Sequence, residues 1–195
     1  MASQIVLASA SPRRSMLLKD AGIRFETAEA HISEEIPDGT DPRVASMYNA
    51  LKKAQYVSAE YLGAFVVGAD TIVYDGRIMG KPADEEDAFN MLSELRDRVH
   101  SVYTGVCIIR ADEKITRLFC DRTDITFGAY SDEEIRDYIS SGEPMDKAGS
   151  YAVQGEWSVH VEKIDGSRNN VIGLPVERLE EELTALGADT GTAVE

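Results

Sequence analysis

The sequence lacks the long apolar runs and the cysteine patterns that mark several large classes of protein. No hydrophobic stretch approaches the roughly 20 residues needed to cross a bilayer. The amino terminus has no basic region followed by an apolar one, so nothing in it predicts export. We therefore expect a cytoplasmic protein without a membrane partner. The only cysteines, Cys107 and Cys120, show no metal-binding spacing, which predicts two buried thiols on neighbouring strands.

Basic residues are also scarce, since 20 Lys and Arg stand against 35 Asp and Glu and give a net charge of −15. This balance disfavours binding to a nucleic-acid polymer, which needs a broad basic surface. A small anion remains compatible with the sequence if a few cations form a local pocket. A chain of 195 residues that is 43% hydrophobic predicts an ordinary globular protein. We expect one cooperative domain over residues 1–187, built as two lobes, and a flexible tail over residues 188–195.

Strands and helices alternate early in the chain, whereas paired strands dominate its middle. This order predicts a mixed α/β fold with a curved central sheet flanked by helices. Proline after a capping residue, or an acidic first turn, marks each predicted helix start. We predict helices from residues 12, 42, 85, 132 and 175, with the second helix reaching residue 63 and burying Val44, Tyr48, Leu51 and Ala54. We predict strands at residues 5–7, 65–67, 77–79, 100–109, 114–127, 151–154 and 159–164, and loops or turns at residues 142–150 and 165–170.

The segment after the first strand has the features of a phosphate site. Ser9 and Ser11 stand in a loop of small residues, and Arg13 and Arg14 follow in the first turn of the predicted helix. A helix N-terminus offers free backbone N–H groups and a positive dipole end, which attract anions. Arginines are normally favoured at the C-terminal end of a helix, so a pair of them in the first turn indicates a binding site for an anion. A capped helix with two solvated arginines is the structural alternative.

A second polar segment follows the apolar run at residues 65–67. Asp70 and Thr71 come next, and Asp75-Gly76 predicts a tight hairpin that brings Lys81 back towards Asp70. A carboxylate at the end of a buried strand is well placed for chemistry, although a turn aspartate and a solvated lysine fit the same pattern. Position alone does not decide whether Lys53 is surface charge or reaches a phosphate. Glu34, in a pair of glutamates before a loop, is a candidate metal ligand or a solvated side chain.

Four stretches of the chain form a set of motifs: LASASPRRSMLL at residues 7–18, GADTIVYDGRIMGKP at residues 68–82 with TGV at residues 104–106, KAGSYAVQG at residues 147–155 and GSRNNVIGLP at residues 166–175. Together they resemble the Maf family of nucleoside triphosphate pyrophosphatases. The resemblance spans residues 5–186. The SPRR, Asp-Thr and Gln-Gly forms of these motifs look like the branch that acts on dTTP and UTP.

The resemblance implies an α/β fold similar to that of inosine triphosphatases, with a deep cleft between two lobes. It implies hydrolysis between the α and β phosphates, with a divalent metal such as Mg²⁺ or Mn²⁺ as cofactor. By position, Asp70 would be the catalytic carboxylate and would share the metal with Glu34. Family members commonly have two carboxylates in a row at this place, whereas in this chain Ser33 precedes Glu34. The substrate-binding set, from the residues and the resemblance together, comprises Ser9, Ser11, Arg13, Arg14, Lys53, Thr71, Lys81 and Gln154; Arg13, Thr71 and Gln154 fall where the family's branches set base specificity.

Several alternatives stay open at this point. Asp70 has two compatible roles, since it could activate a water or hold the metal that does so. The substrate could instead be a modified nucleotide such as 7-methyl-GTP. A non-catalytic nucleotide sensor in cell-division control would use the same residues without turnover. The sequence does not give the oligomeric state, and a homodimer is one option.

Overall fold

Seven strands form one mixed sheet in the computed structural model, which describes residues 4–37 and 39–191. The sheet order is β2-β1-β3-β5-β6-β7, and β4 pairs with β3. β1 runs parallel to β2 and β3, while the β3/β4 and β6/β7 pairs are antiparallel. The strands are β1 (Ile5–Leu7), β2 (Glu26–Thr27), β3 (Phe65–Tyr74), β4 (Ile78–Met79), β5 (Val99–Arg110), β6 (Ile115–Phe127) and β7 (Val161–Asp165). The helices are α1 (Pro12–Asp20), α2 (Pro42–Ser58), α3 (Glu85–Leu95), α4 (Asp132–Ser140), α5 (Arg168–Ile172) and α6 (Val176–Ala185). The predicted mixed α/β fold is confirmed.

Most predicted helix starts are confirmed, and local capping explains them. The Asp41 side chain accepts hydrogen bonds from the backbone N–H groups of Arg43 and Val44 at the start of α2. Ser131 and Glu134 form a reciprocal capping box before α4. Within the described residues, no helix combines the length and apolarity needed to cross a membrane. Cys107 and Cys120 are both buried free thiols on the neighbouring strands β5 and β6, as predicted.

Strand β3 is longer than the apolar run predicted. It continues without a break from Phe65 to Tyr74, so Asp70 lies inside the strand and not at its end. The predicted hairpin follows, with Gly76 in the left-handed region at φ 71°. Asp70 and Thr71 do not end the strand, because β3 lies inside the sheet with β1 and β5 as its neighbours. Asp70 is therefore held by regular backbone.

The predicted buried face of α2 is correct only in part, since Ala54 is buried and Leu51 packs against the core but Val44 and Tyr48 do not. Val44 and Tyr48 are 53% and 56% exposed, whereas the buried face carries small and polar residues. The reason lies in the sheet beneath, because a Cβ added at Gly68 would overlap the backbone of Ala50 and Ala54. A Cβ added at Gly105 would likewise overlap the α2 backbone around residues 46 and 47. Two glycines thus bring α2 so close to the sheet that only small side chains fit directly between them.

The chain divides into two compact units. Within the described residues, the first unit comprises residues 4–37, 39–70, 104–121 and 173–191, and the second comprises Thr71–Tyr103 and Arg122–Ile172. The first unit has a core of small and branched residues that includes Val6, Ala54, Val66 and Cys107. The second unit has an aromatic core in which Trp157 stacks on Tyr138 with ring centroids 4.7 Å apart.

Four predictions in the last third of the chain are corrected. Residues 151–154 form no strand, because side chains satisfy their backbone: Tyr138 Oη accepts from the Ala152 N–H, and Arg168 donates to the Val153 carbonyl. A 3₁₀ turn at Glu156–His160 follows. It includes residues 159 and 160, which were predicted as the start of the strand at 159–164. The predicted turn after residue 165 contains the short helix α5, where Ser167 Oγ accepts from the Asn170 N–H. The predicted loop at residues 142–150 contains two 3₁₀ turns, Glu143–Asp146 and Ala148–Ser150.

The predicted tail is ordered in its first part. Thr190 is buried, and its carbonyl accepts a hydrogen bond from the Arg24 N–H at 3.3 Å. Residues 192–195 of the predicted tail lie outside the described residues. The packed chain therefore extends at least three residues beyond residue 187.

Candidate active site

Asp70 lies at the centre of a buried polar cluster in the first unit. Its side chain is 9% exposed and is held on both oxygens by helix α2. Lys53 Nζ donates to Asp70 Oδ1 at 2.7 Å, and Asn49 Nδ2 donates to Asp70 Oδ2 at 3.2 Å. Residues four apart on a helix lie on one face, so two successive turns of α2 supply the two donors. The carboxylate is fixed in one orientation as a result.

Lys53 joins Asp70 to the loop that carries Glu34. Its ammonium lies 3.0 Å from Glu34 Oε1 and donates to the Ala69 carbonyl at 3.4 Å. The Lys53 side chain is 9% exposed, whereas that of Glu34 is 53% exposed. Lys53 is therefore a buried cation between two carboxylates and not a surface charge. Its contact with a phosphate stays a prediction.

The loop before α1 and the first turn of α1 carry a second group of polar side chains in the first unit. Ser9 is buried, and its Oγ accepts from the Ser11 N–H and from Arg14 Nη1, both at 3.2 Å. Arg14 Nε also donates to the Gly173 carbonyl at 2.8 Å. Ser11 occupies the N-cap position, but its side chain makes no capping hydrogen bond. Of the two arginines, Arg14 is buried and bonded to the protein, while Arg13 is partly exposed.

Arg14 interacts electrostatically with the carboxylates of the Asp70 cluster. Burial lowers the pKa of its guanidinium, the charges of Asp70 and Glu34 oppose that shift, and Arg13 adds to it. A buried cation is tolerated where acidic groups lie near it. Arg14 therefore lies in the field of the same two carboxylates that Lys53 contacts.

The described residues contain no group of three or more His, Cys, Asp or Glu side chains arranged to hold a metal ion. Glu34 and Asp70 still offer hard oxygen donors of the kind that Mg²⁺ and Mn²⁺ prefer. Mg²⁺ commonly binds through one or two carboxylates together with substrate phosphates, so two carboxylates are enough protein ligands. The donor chemistry fits such an ion.

The remaining predicted site residues belong to the second unit. Thr71 is partly buried, and Lys81 and Gln154 are exposed. Gln154 lies in the segment whose backbone is held by Tyr138 and Arg168. The roles of these three residues stay predictions.

Sequence reasoning missed Asn49. The residue is 1% exposed, lies off the predicted apolar stripe of α2, and besides Asp70 it donates to the Glu34 carbonyl at 3.4 Å. The available signal was the spacing of Asn49 and Lys53, one helical turn apart. That spacing becomes informative only once Lys53 is known to be buried.

Comparisons with known proteins cover nearly the whole chain. Residues 4–186 match a family model described as Maf-like protein. A protein of Dictyoglomus turgidum named dTTP/UTP pyrophosphatase is 44% identical over 189 residues, which cover 96% of this chain and 98% of that protein. A Bacillus cereus protein of the same name is 46% identical and covers 95% of this chain and 97% of its own. A solved structure titled as the Staphylococcus aureus Ham1 protein covers 94% of this chain and 100% of its own at 14% identity; its TM-score of 0.48 is too low to carry weight.

Proposed function

Because this chain belongs to the Maf-like protein family, we propose that it is a nucleoside triphosphate pyrophosphatase that hydrolyses dTTP and UTP. The observation that carries the proposal is the 44% to 46% identity, over at least 95% of the chain, to proteins named for that activity. The buried cluster around Asp70 supports it, because catalysis at phosphorus needs a fixed carboxylate beside positive charge. The products would be the nucleoside monophosphate and pyrophosphate.

Asp70 is the proposed catalytic carboxylate. Lys53 and Asn49 hold both of its oxygens, which leaves the lone pairs that they do not use to orient a water and accept its proton at the α phosphorus. A residue fixed on a regular strand positions that water more closely than one on a mobile loop would. The Lys53 ammonium also neutralises charge next to an anionic substrate.

Phosphate binding is assigned to the start of α1. Ser9, Ser11 and Arg13 surround a helix N-terminus whose first turn has no acidic residue, which favours a bound anion. Arg14 adds positive charge, and its hydrogen bond to Ser9 Oγ orients that hydroxyl. Charges that hold the β and γ phosphates stabilise pyrophosphate as the leaving group, so the α–β bond is the one expected to break.

We assign Glu34 and Asp70 as the protein ligands of a divalent cation, Mg²⁺ or Mn²⁺. Such an ion, when bound, supplies charge neutralisation on the phosphate oxygens. Thr71 and Gln154 are assigned to recognition of the base, since their donor and acceptor groups suit a pyrimidine edge. Arg13, which has donors only, is assigned to the phosphates and also stands where the family's branches set base specificity. Lys81 is assigned to phosphate and serves every substrate alike. Nucleotide substrates support the predicted cytoplasmic location.

The test is to incubate the purified protein with UTP or dTTP and Mg²⁺ or Mn²⁺, and to resolve the products by chromatography without an added pyrophosphatase. Equal amounts of UMP and pyrophosphate are expected from UTP. Accumulation of UDP and orthophosphate would overturn the assigned bond, and binding without turnover would favour a nucleotide sensor. The same assay with 7-methyl-GTP tests the modified-nucleotide alternative, which a higher kcat/KM than for UTP would favour.

Gln154→Ala tests base recognition, with Lys81→Ala as the matched phosphate variant. A site that hydrogen-bonds a base edge rejects the wrong base by leaving polar groups unpaired, whereas a phosphate contact is blind to the base. Gln154→Ala should therefore change the ratio of kcat/KM for UTP to that for GTP, and Lys81→Ala should lower both values together. Equal losses on both substrates from Gln154→Ala would contradict the assignment.

A further inference from the structure

Asn49 is an unusual residue for its place in the fold. It lies in the middle of α2 at 1% exposure, among Ala45, Ala50 and Ala54 on the buried face. Asparagine is a weaker helix former than alanine, and burying its amide costs free energy unless both ends are paired. A residue that breaks local rules in this way is expected to have a function.

The hydrogen bonds of Asn49 fix the orientation of its amide. Its Nδ2 faces two acceptors, Asp70 Oδ2 at 3.2 Å and the Glu34 carbonyl at 3.4 Å. The reverse orientation would place an oxygen against both acceptors, so only the nitrogen can face them. Asn49 Oδ1 is buried and has no hydrogen-bond partner among the described residues. The fold thus leaves one acceptor unsatisfied in order to keep the donor at Asp70.

We propose that Asn49 is a positioning residue that sets the orientation of the Asp70 carboxylate and ties it to the Glu34 loop. Lys53 alone contacts Oδ1 and leaves the carboxylate able to rotate about its Cβ–Cγ bond. A second donor on Oδ2 removes that rotation, because the two donors stand on successive turns of one rigid helix. The Asn49 contact to the Glu34 backbone fixes the loop independently of the exposed Glu34 side chain. The assignment rests on the proposed hydrolysis of dTTP and UTP.

The variant Asn49→Leu keeps the number and branching of the side-chain heavy atoms, removes the donor and also removes the unsatisfied Oδ1. Partners that orient a functional group typically cost about 10- to 100-fold in activity when they are removed. We expect kcat on UTP to fall by about that factor, and KM for UTP at saturating Mg²⁺ to change less than kcat, because the direct phosphate and base contacts are assigned to other residues. The thermal midpoint should stay near that of the wild type, since losing the bond to Asp70 is offset by losing the unsatisfied acceptor and by the better helix propensity of leucine.

The matched control is Ser46→Ala. Ser46 lies on the same face of α2 at 0% exposure, and its hydroxyl bonds to the Arg43 carbonyl at 3.1 Å and lies 3.6 Å from Cys120 Sγ. It should leave kcat unchanged. Asn49→Asp is a second variant of the same shape that replaces the donor by a like charge against Asp70, and it should lower kcat more than Asn49→Leu.

A crystal structure of the Asn49→Leu variant supplies a readout that does not depend on turnover. The proposal expects the Asp70 carboxylate to rotate or to occupy more than one orientation. Wild-type kcat in Asn49→Leu, or an unmoved carboxylate in the crystal, would overturn the role of Asn49 while leaving the proposed function intact. Absence of turnover in the wild type would instead overturn the proposed function, and the carboxylate orientation would still decide the role of Asn49.

Discussion

The buried contact between Lys53 and Asp70 can be tested by Lys53→Met, which keeps the length of the side chain and removes its charge. Both side chains are 9% exposed, so the variant leaves a carboxylate out of water without its cation. Removing one partner of a buried ion pair typically costs about 3–5 kcal/mol. Asn49 still donates to Asp70 Oδ2, and Glu34 is exposed enough to be rehydrated, which places the expected loss near the lower end, at about 3 kcal/mol.

For a chain of this size, each kcal/mol corresponds to roughly 2–4 °C in thermal midpoint, so Lys53→Met should lower it by roughly 6–12 °C. Urea unfolding at constant pH gives the free energy directly. Lys52→Met is the matched control on the same helix: Lys52 Nζ donates to the Ser33 carbonyl and lies 4.9 Å from the Tyr48 ring centroid, at the protein surface. That variant should cost no more than about 1 kcal/mol.

Equal stability of the two methionine variants would refute the reasoning, because it would mean that Lys53 stabilises the fold no more than a surface lysine. The double variant Lys53→Met with Asp70→Asn provides a further check. Removing both charges leaves no buried unpaired ion, so the double variant should be less destabilised than the sum of the two single variants. Additive losses would show that the two side chains do not interact.

Three further predictions concern catalysis, pH and packing. Asp70→Asn should keep the fold and lower kcat on UTP by at least about 100-fold, because the amide is similar in shape but cannot take up a proton; wild-type kcat would exclude Asp70 as the catalytic carboxylate. Burial lowers the pKa of His100 to about 4, against an opposing effect of Asp124. Below about pH 6.5, His100 is therefore protonated in the unfolded chain but stays neutral in the native protein. The free energy of unfolding should fall by up to about 3 kcal/mol as the pH drops from 6.5 to 4. His100→Gln should lose this part of the pH dependence in urea titrations, and an unchanged pH dependence would count against it. Gly68→Ala should lower the free energy of unfolding by about 1–3 kcal/mol, whereas Gly63→Ala, with open space around it, should not; equal effects would contradict the close packing of α2.

The elements with local signals were predictable from the sequence. Proline and capping residues located the helices because those signals act within one turn of chain, and the capping box at Ser131 is an example. The segment at residues 151–154 was predicted as one of several short strands that alternate with turns in the last third of the chain. Its backbone partners are the side chains of Tyr138 and Arg168, which are distant in sequence and invisible to a local pattern.

Part of the candidate site was predictable for the same reason. Asp70, Lys53 and Glu34 were candidates from residue type and from the resemblance, and the structure brings all three together in one cluster. Their arrangement was not predictable, since Lys81 was the expected partner of Asp70 and Lys53 is the partner observed. Asn49 was missed because the helical periodicity of α2, read alone, selected Val44 and Tyr48 as its buried face.

The glycines beneath α2 explain both that error and the geometry of the site. An asparagine side chain is much shorter than a lysine side chain, so the contact of Asn49 with Asp70 depends more on a close approach of the helix than the contact of Lys53 does. Gly68 and Gly105 let the backbone of α2 approach closely, which turns a face of small residues inward and leaves the larger apolar ones exposed. The same approach brings Asn49 within hydrogen-bond distance of Asp70. Close packing between α2 and the sheet therefore orients the Asp70 carboxylate as well as filling the core. A change in helix position should disturb the short Asn49 contact before it disturbs the Lys53 contact.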